Sequence, residues 1–288
     1  MRTILLPVDG ASDNECLINA AFDIARVFDA HVEVLHVRAD PRDAVPLFGE
    51  GMSGDMIEEM IEAADKNAVT RAKELERLFV RLYSSRDLTH TTMPVDEGSA
   101  ATVEWRETMG REDETVAWRG RLADLIVTMR PDEDASPMRS LTQQAALFEC
   151  GRPVMVLPPR AEPQGIGSNI AIAWNGTPQA ARAVQGAMGF ISNAEKVAVL
   201  TCGTERTEAD AATELQGYLA WHGVSSNVVD CGQSNNDIGE ALLAGCANIG
   251  ADMLVCGAYS HSRLLQTVMG GVTSSLMEQA TLPVLFSH

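Results

Sequence analysis

The chain has 288 residues, of which 45% are hydrophobic and 22% charged, and this is the composition of an ordinary globular protein. At roughly 150 residues per domain, the length predicts two domains. With 22 Lys and Arg against 40 Asp and Glu, the net charge of −18 would repel a nucleic-acid backbone. No apolar run approaches the roughly 18 residues of a membrane span, so we expect neither nucleic acid nor a membrane as a partner.

The first predicted element is a strand over residues 3–8. It ends in Asp9 and Gly10, and Ser12 then opens a helix. Only about six apolar residues precede the first acid, which is too few for the apolar core of a secretory signal. We therefore expect a cytoplasmic protein.

The rest of the first half continues with strands and one long helix. Apolar runs predict strands over residues 31–37, 123–128 and 152–157, and a charged helical pattern extends from about Met56 to Tyr83. Residues 158–167 are rich in proline and glycine and predict a linker. We place the domains at 1–160 and 161–288.

The second half alternates strand and helix patterns without a break. The predicted strands are 169–174, 196–201, 226–231, 252–256 and 283–286; the predicted helices are about 178–190, 207–222, 237–249 and 271–280. Nearly continuous apolar strands are typical of a parallel sheet that is buried on both faces. We expect α/β domains, each a doubly wound, mainly parallel sheet of five strands. Ligands of such sheets bind beyond the carboxyl ends of the strands, where the strand order reverses.

The two halves are an internal repeat. Four strands of the first half match four of the second in the same order. Asp9 and Asn175 are 166 residues apart, whereas Asp124 and Asp252 are 128 apart, so the first repeat has 38 more residues. These extra residues are an insertion between about 40 and 120.

The loop after strand 252–256 is the candidate site. Gly257 lets the backbone leave the strand sharply and approach a ligand closely. Gly270 and Gly271 open a helix, whose unpaired N–H groups and positive dipole end can accept a phosphate. Thr273 adds a hydroxyl donor. A capped helix without a ligand is the simpler alternative.

At this loop the chain resembles the universal stress protein (UspA-like) family, as a tandem member with two such domains over about 1–158 and 169–287. The nucleotide pattern of that family is Gly, two residues, Gly, nine residues, Gly, then Ser or Thr. Gly257 and Gly270 have the required spacing, while Ser260 and Gly271 replace the second glycine and the hydroxyl residue. The resemblance implies an adenine nucleotide alpha hydrolase-like fold and an adenine nucleotide, ATP or AMP with or without Mg²⁺.

The resemblance also implies a set of binding residues. At the end of the first strand, Asn175 replaces the Asp that the family often uses for adenosine, and an amide can both donate and accept. Arg263 is one of only four Lys or Arg in residues 161–288, so it is either the counter-charge of the phosphates or a surface residue. The predicted site residues, all in the loop 257–273 except the first, are Asn175, Gly257, Ser260, Arg263, Gly270, Gly271, Val272 and Thr273.

The first domain keeps Asp9, but its equivalent loop, residues 129–140, has no glycine. The loop has three adjacent carboxylates, at 132–134, which would repel a triphosphate. We expect no nucleotide there. The resemblance implies that this domain is the partner in an intramolecular pseudo-dimer, formed through the last strands at about 153–157 and 283–287. A homodimer of tandem chains is a further option.

Two functions remain open at this point. The first is a universal stress protein that binds an adenine nucleotide in its second domain and acts in the stress response through conformational or partner signalling. The alternative is a tandem scaffold that binds no nucleotide and acts through unknown protein partners. The Walker A, GxSxG and HExxH patterns do not occur in the sequence, so we assign no catalytic residue and expect at most weak ATPase activity.

We expect the cysteines and tryptophans to have structural roles. The six cysteines have no CxxC pair and no zinc spacing, so we expect small buried residues, no metal site and no disulfide framework. The four tryptophans (105, 118, 174 and 221) are interpreted as core or domain-contact residues.

Overall fold

A computed structural model describes residues 1–10, 13–41, 53–96, 100–131, 137–159, 165–202, 206–232, 237–258 and 271–288. The chain divides into two compact units. The first comprises Met1–Ala123 and Glu133–Cys150, and the second comprises Asp124–Asp132 and Gly151–His288. The boundary near residue 160 stays a prediction, because it falls outside the described residues.

Among its described residues, the first unit has four strands and four helices. Its elements are β1 (Thr3–Pro7), α1 (Asn14–Phe28), β2 (His31–Arg38), α2 (Gly54–Ser85), β3 (Thr89–His90), β4 (Thr102–Met109), α3 (Glu112–Gly120) and α4 (Pro137–Glu149). The strands are parallel and lie in the order β3-β4-β2-β1.

The described part of the second unit has seven strands and four helices. Its elements are β5 (Leu125–Met129), β6 (Val154–Leu157), β7 (Asn169–Ala173), α5 (Pro178–Asn193), β8 (Lys196–Thr201), α6 (Arg206–Trp221), β9 (Asn227–Asp230), α7 (Ile238–Ile249), β10 (Met253–Gly257), α8 (Gly271–Gln279) and β11 (Val284–Ser287). The strand order is β5-β6-β11-β10-β7-β8-β9.

The strands form because their residues are apolar on both faces. In β10, Met253, Leu254 and Val255 are all fully buried, although successive side chains point to opposite faces of the sheet. Both faces are therefore covered, as expected for parallel strands linked by helices. The α/β fold with a mainly parallel sheet is confirmed.

The helices begin and end at residues with suitable caps. Thr177 caps α5, where its hydroxyl accepts a hydrogen bond from the Ala180 N–H at 3.3 Å, and Pro178 takes the first helical position. Asp237 caps α7 and Gly250 ends it in the left-handed conformation, with φ of 64°. These signals explain why the helices of the second half agree closely with their prediction.

The side chain of Asp252 fixes the start of β7 next to β10. Its carboxylate accepts hydrogen bonds from the backbone N–H groups of Gly167 (2.8 Å), Ser168 (3.1 Å) and Asn169 (2.8 Å). One carboxylate thus accepts hydrogen bonds from three backbone N–H groups that would otherwise need other acceptors.

Two features of the first repeat differ from its counterpart. The helix α2 has 32 residues and α6 has 16, so the predicted long helix is present and accounts for a large part of the extra length. The short strand β3 was not predicted; both of its residues are exposed, so it has no apolar pattern.

The last strands of the two repeats pair with each other. β6 and β11 are antiparallel, with Val154 opposite Phe286 and Val156 opposite Val284, whereas the other strand pairs of the second unit are parallel. The predicted pairing of residues 153–157 with 283–287 is therefore present.

Two of the four tryptophans lie at the surface. Trp118 and Trp221 are 70% and 92% exposed, so the expectation of a core position is wrong for these two. Among the described residues, no helix combines the length and apolarity that crossing a membrane requires.

Candidate functional site

The strand order of the second unit reverses between β7 and β10. From β7 the chain proceeds to β8 and β9 on one side, and then returns to β10 and β11 on the other. Cys256 is in register with Ala173, so Gly257, the last residue of β10, and Asn175, two residues after β7, lie at the carboxyl ends of adjacent parallel strands. This is the position at which open α/β sheets bind ligands.

Gly257 is in close contact with the start of α5. A Cβ at this position would lie 2.5 Å from the Ala180 nitrogen and 2.7 Å from the Gln179 carbonyl carbon. Both are backbone atoms that cannot move aside as a flexible side chain would. The first turn of α5 therefore lies over the end of β10, and Gly257 is required for this packing with or without a ligand.

Asn175 forms the turn that leads into α5. Its Oδ1 accepts hydrogen bonds from the Thr177 hydroxyl at 2.7 Å and from the Thr177 N–H at 3.2 Å. The side chain is therefore held by its own turn at the carboxyl edge of the sheet. Its Nδ2 group is a donor that can meet an acceptor on a ligand.

The helix α8 begins at Gly271, and its first three N–H groups have no carbonyl partner within the helix. Gly271 is exposed and Val272 is half-buried, whereas Thr273 is only 4% exposed. The Thr273 side chain is therefore directed into the protein. Ser260, Arg263 and Gly270 lie outside the described residues.

The corresponding edge of the first unit has an arginine clamp, which we define as Arg139 with Asp9 and Asp13. The Arg139 Nε and Nη2 donate to Asp9 at 3.0 and 3.2 Å, and its Nη1 and Nη2 donate to Asp13 at 2.9 and 2.7 Å. The side chain of Arg139 is only 11% exposed. Burial lowers its pKa, but the two carboxylates outweigh that effect and raise the pKa above its usual value.

A third carboxyl group, that of Glu112, lies in the electrostatic field of the arginine clamp. Burial and the negative charge of Asp9 raise the pKa of Glu112 from 4.5 to about 7, although the Thr142 hydroxyl and Arg139 act in the opposite direction. Near neutral pH this side chain is therefore a mixture of the protonated and charged forms.

Sequence reasoning missed both Arg139 and Glu112. Asp9 was singled out, but its partner Arg139 is 130 residues away in the chain, and the charge of loop 129–140 was judged by its carboxylates. The signal that remained was a basic residue close to the start of α4, and such residues are common on helix surfaces.

The opposite edge of the first unit has a cavity of about 480 Å³. Its wall includes His31, Glu33 and Glu104. The carboxylate of Glu33 accepts hydrogen bonds from Arg119, and that of Glu104 accepts one from Arg106. The negative charges of Glu33 and Glu104 are thus balanced by these two arginines. Within the described part of the chain, no group of three or more His, Cys, Asp or Glu is arranged to hold a metal ion.

The first part of the chain is similar to a known protein family. The model of the Universal stress protein family matches residues 1–136. No curated protein sequence matches the chain.

Solved structures extend the universal stress protein fold over the whole chain. A universal stress protein from Archaeoglobus fulgidus DSM 4304 has a TM-score of 0.67 at 14% identity, and the match covers 99% of this chain and 97% of that one. A functionally unknown protein from Pseudomonas aeruginosa PAO1 has a TM-score of 0.56 at 14% identity, with 100% and 92% coverage. At this identity the similarity shows a common fold.

Proposed function

We propose that the second unit binds an adenine nucleotide, ATP or AMP, between the carboxyl ends of β7 and β10. The protein then acts in the cytoplasmic stress response through conformational or partner signalling. The observation that carries this proposal is the position of Asn175 and Gly257, which lie at the carboxyl ends of adjacent parallel strands where the strand order reverses.

The residues at this edge suit the two ends of a nucleotide. The Asn175 amide can hydrogen bond to the adenosine. The N–H groups of Gly271 and Val272, at the positive end of α8, can donate hydrogen bonds to the phosphates, since anions are stabilised at helix N-termini. In a chain of net charge −18, Arg263, which lies between β10 and α8 in the sequence, is the candidate counter-charge, and Ser260 and Gly270 belong to the same segment. A magnesium ion would be held by the phosphates.

The arginine clamp supports a single site per chain. In the first unit, Asp9 takes the position that Asn175 takes in the second, but its two carboxylate oxygens are bound by Arg139. An adenosine would have to displace this ion pair. We therefore propose that the first unit binds no nucleotide.

Two measurements test the proposal. Nucleotide released from the purified protein by denaturation is quantified per chain, and ATP is then titrated into the nucleotide-free protein by calorimetry. We expect about one adenine nucleotide per chain and one class of site.

A charged substitution at the start of α8 provides the decisive variant. Gly271 is exposed, and no atom of the described residues lies within 4 Å of the position of a Cβ, so these residues leave room for Gly271→Asp. An aspartate in the first turn is favourable for the helix but repels a phosphate. We expect ATP affinity to fall at least ten-fold, which corresponds to about 1.4 kcal/mol. Gly217→Asp on the exposed face of α6 is the matched control.

The outcomes separate the alternatives. Equal loss of affinity in both variants would indicate a general charge effect and would contradict a phosphate position at α8. Two nucleotides per chain would contradict the closed first unit. No bound nucleotide and no heat at millimolar ATP would refute nucleotide binding.

That last result would favour the second candidate, a scaffold that acts through protein contacts or as a homodimer. It is supported by the structural roles of these residues, since Gly257 packs against α5 and Asn175 forms the turn that leads into it irrespective of a ligand. Trp221, which is 92% exposed at the end of α6, is a residue type enriched at protein interfaces. A pull-down with wild type and Trp221→Ser would then identify the partners that need this side chain.

A further inference from the structure

Two cysteines of the second unit lie side by side at the ends of β8 and β9. Thr201 is in register with Asp230, so the next pair of positions is Cys202 and Cys231. The Cys231 N–H donates to the Thr201 carbonyl oxygen at 2.8 Å, which continues the ladder to this point. Neighbouring strands are about 4.8 Å apart, and a disulfide requires about 4.4–6.8 Å between Cα atoms. The backbone spacing therefore permits a bond.

The two side chains also share a face of the sheet, the one covered by α7. A Cβ at Gly245 of α7 would lie 2.5 Å from the Cys231 sulfur and 3.4 Å from Cδ1 of Leu200. Leu200 and Cys231 therefore both point toward α7. Cys202 follows Leu200 by two residues and points to the same face. The two cysteine side chains hydrogen bond to each other, so their sulfur atoms are neighbours.

The pair differs from the other thiols of this unit in its surroundings. Cys202 and Cys231 are half-buried, whereas Cys246 and Cys256 are buried. Burial raises the pKa of both buried thiols to about 12. The hydrogen bond from Cys202 lowers the pKa of Cys231, against the opposing effect of partial burial. Since the thiolate is the reactive form, Cys231 is the nucleophile of this group.

We propose that Cys202 and Cys231 are a redox modification site that closes to a disulfide in the presence of a hydroperoxide. The Cys231 thiolate attacks the peroxide oxygen, the O–O bond breaks, and the second oxygen leaves as water or an alcohol after it takes up a proton. The resulting Cys231 sulfenic acid is attacked by the Cys202 sulfur, which forms the S–S bond and releases water. Two electrons pass from the two sulfurs to the peroxide, and two protons and two electrons from a dithiol restore the pair.

The disulfide would join the ends of two strands that are paired by backbone hydrogen bonds. This site is independent of the proposed nucleotide. It is also distinct from a structural disulfide, because all six cysteines are thiols in the structure.

Peptide mapping detects the bond directly. Trypsin cleaves after Lys196, Arg206 and Arg263, so the peptide 197–206 contains Cys202 alone and the peptide 207–263 contains the other three cysteines of this unit. The folded, reduced protein is treated with a few equivalents of hydrogen peroxide, alkylated and digested. We expect the two peptides to be joined, with a loss of two hydrogen atoms from the intact mass, and to separate after reduction.

Single variants identify the cysteines in the bond. Cys231→Ser should abolish the joined peptides, whereas Cys246→Ser, the matched control in the same peptide, should retain them. Cys202→Ser should instead accumulate a sulfenic acid on Cys231 that dimedone traps. At neutral pH, iodoacetamide should modify Cys231 at least about ten-fold faster than Cys246.

The following results would overturn the proposal. The joined peptides are absent from the folded wild type, or they persist in Cys231→Ser. The same holds if they are lost in the control Cys246→Ser although its circular dichroism is unchanged. Joined peptides that occur only in a covalent dimer, separated by non-reducing electrophoresis, would also refute an intramolecular bond.

Discussion

The replacement of Glu112 by glutamine tests the electrostatics of the first unit. The folded protein holds the proton of Glu112 up to a pKa of about 7, whereas the unfolded chain releases it near 4.5. Between these values the folded state binds more protons than the unfolded state, so the stability contributed by this group falls as the pH rises. It is lost completely above about pH 7. With about 1.36 kcal/mol per pH unit, the difference of about 2.5 units amounts to about 3 kcal/mol, an upper value for a half-buried group.

Glutamine has nearly the same shape and cannot ionise. Glu112→Gln should therefore match the wild type near pH 4 and be more stable by up to about 3 kcal/mol near pH 8. Urea unfolding at several pH values, followed by circular dichroism, measures this difference. The control is Glu114→Gln, which removes an acid from the same turn of α3, but at a side chain that is 69% exposed and paired with Arg111.

Parallel pH profiles for the wild type and Glu112→Gln would refute the argument. A variant less stable than the wild type near pH 8 would mean that the charged form is favourable, and that Arg139 outweighs burial and Asp9.

Two further substitutions test the packing of the two sheet edges. Arg139→Ala leaves the two carboxylates of the arginine clamp without their counter-charge and should destabilise the protein by about 3 kcal/mol in urea unfolding. Arg139→Lys should destabilise it by less, although lysine cannot bridge both carboxylates. An unchanged unfolding midpoint for Arg139→Ala would contradict the clamp. Gly257→Ala places a Cβ 2.5 Å from a backbone nitrogen of α5 and should lower the free energy of unfolding by about 2 kcal/mol or more. The control Gly217→Ala on α6, with no described atom near its Cβ, should raise the free energy of unfolding by about 0.5–1 kcal/mol. Equal melting temperatures for the two variants would refute the close packing.

The sequence predicted the fold well where local signals agree. The strands β7, β8 and β10 are continuous apolar runs, and turn or capping residues such as Thr177 and Gly250 bound the helices between them. Each element can therefore be recognised from its own residues. Strand β3 has no such signal, because its two residues are exposed and it is defined only by its hydrogen bonds to β4.

The candidate site was predicted only in outline. The positions of Asn175 and Gly257 at one edge follow from the expected topology. The role of Gly257 in the packing of α5 depends on the distance between β10 and α5, and the sequence does not specify this distance. The arginine clamp and the pair Cys202–Cys231 join residues that are far apart in the chain, so their contacts appear only once the strands are in register.

The antiparallel pairing of β6 with β11 has a consequence for dissecting the chain. A cut at the predicted linker, near residue 160, leaves β6 in one fragment and β11 in the other, although both belong to the same compact unit. Each fragment would then end in a short strand with apolar side chains and a row of unpaired N–H and C=O groups, which is a template for aggregation. We therefore expect neither fragment to be soluble alone, and soluble material to be recovered when the two fragments are coexpressed and β6 pairs with β11 again.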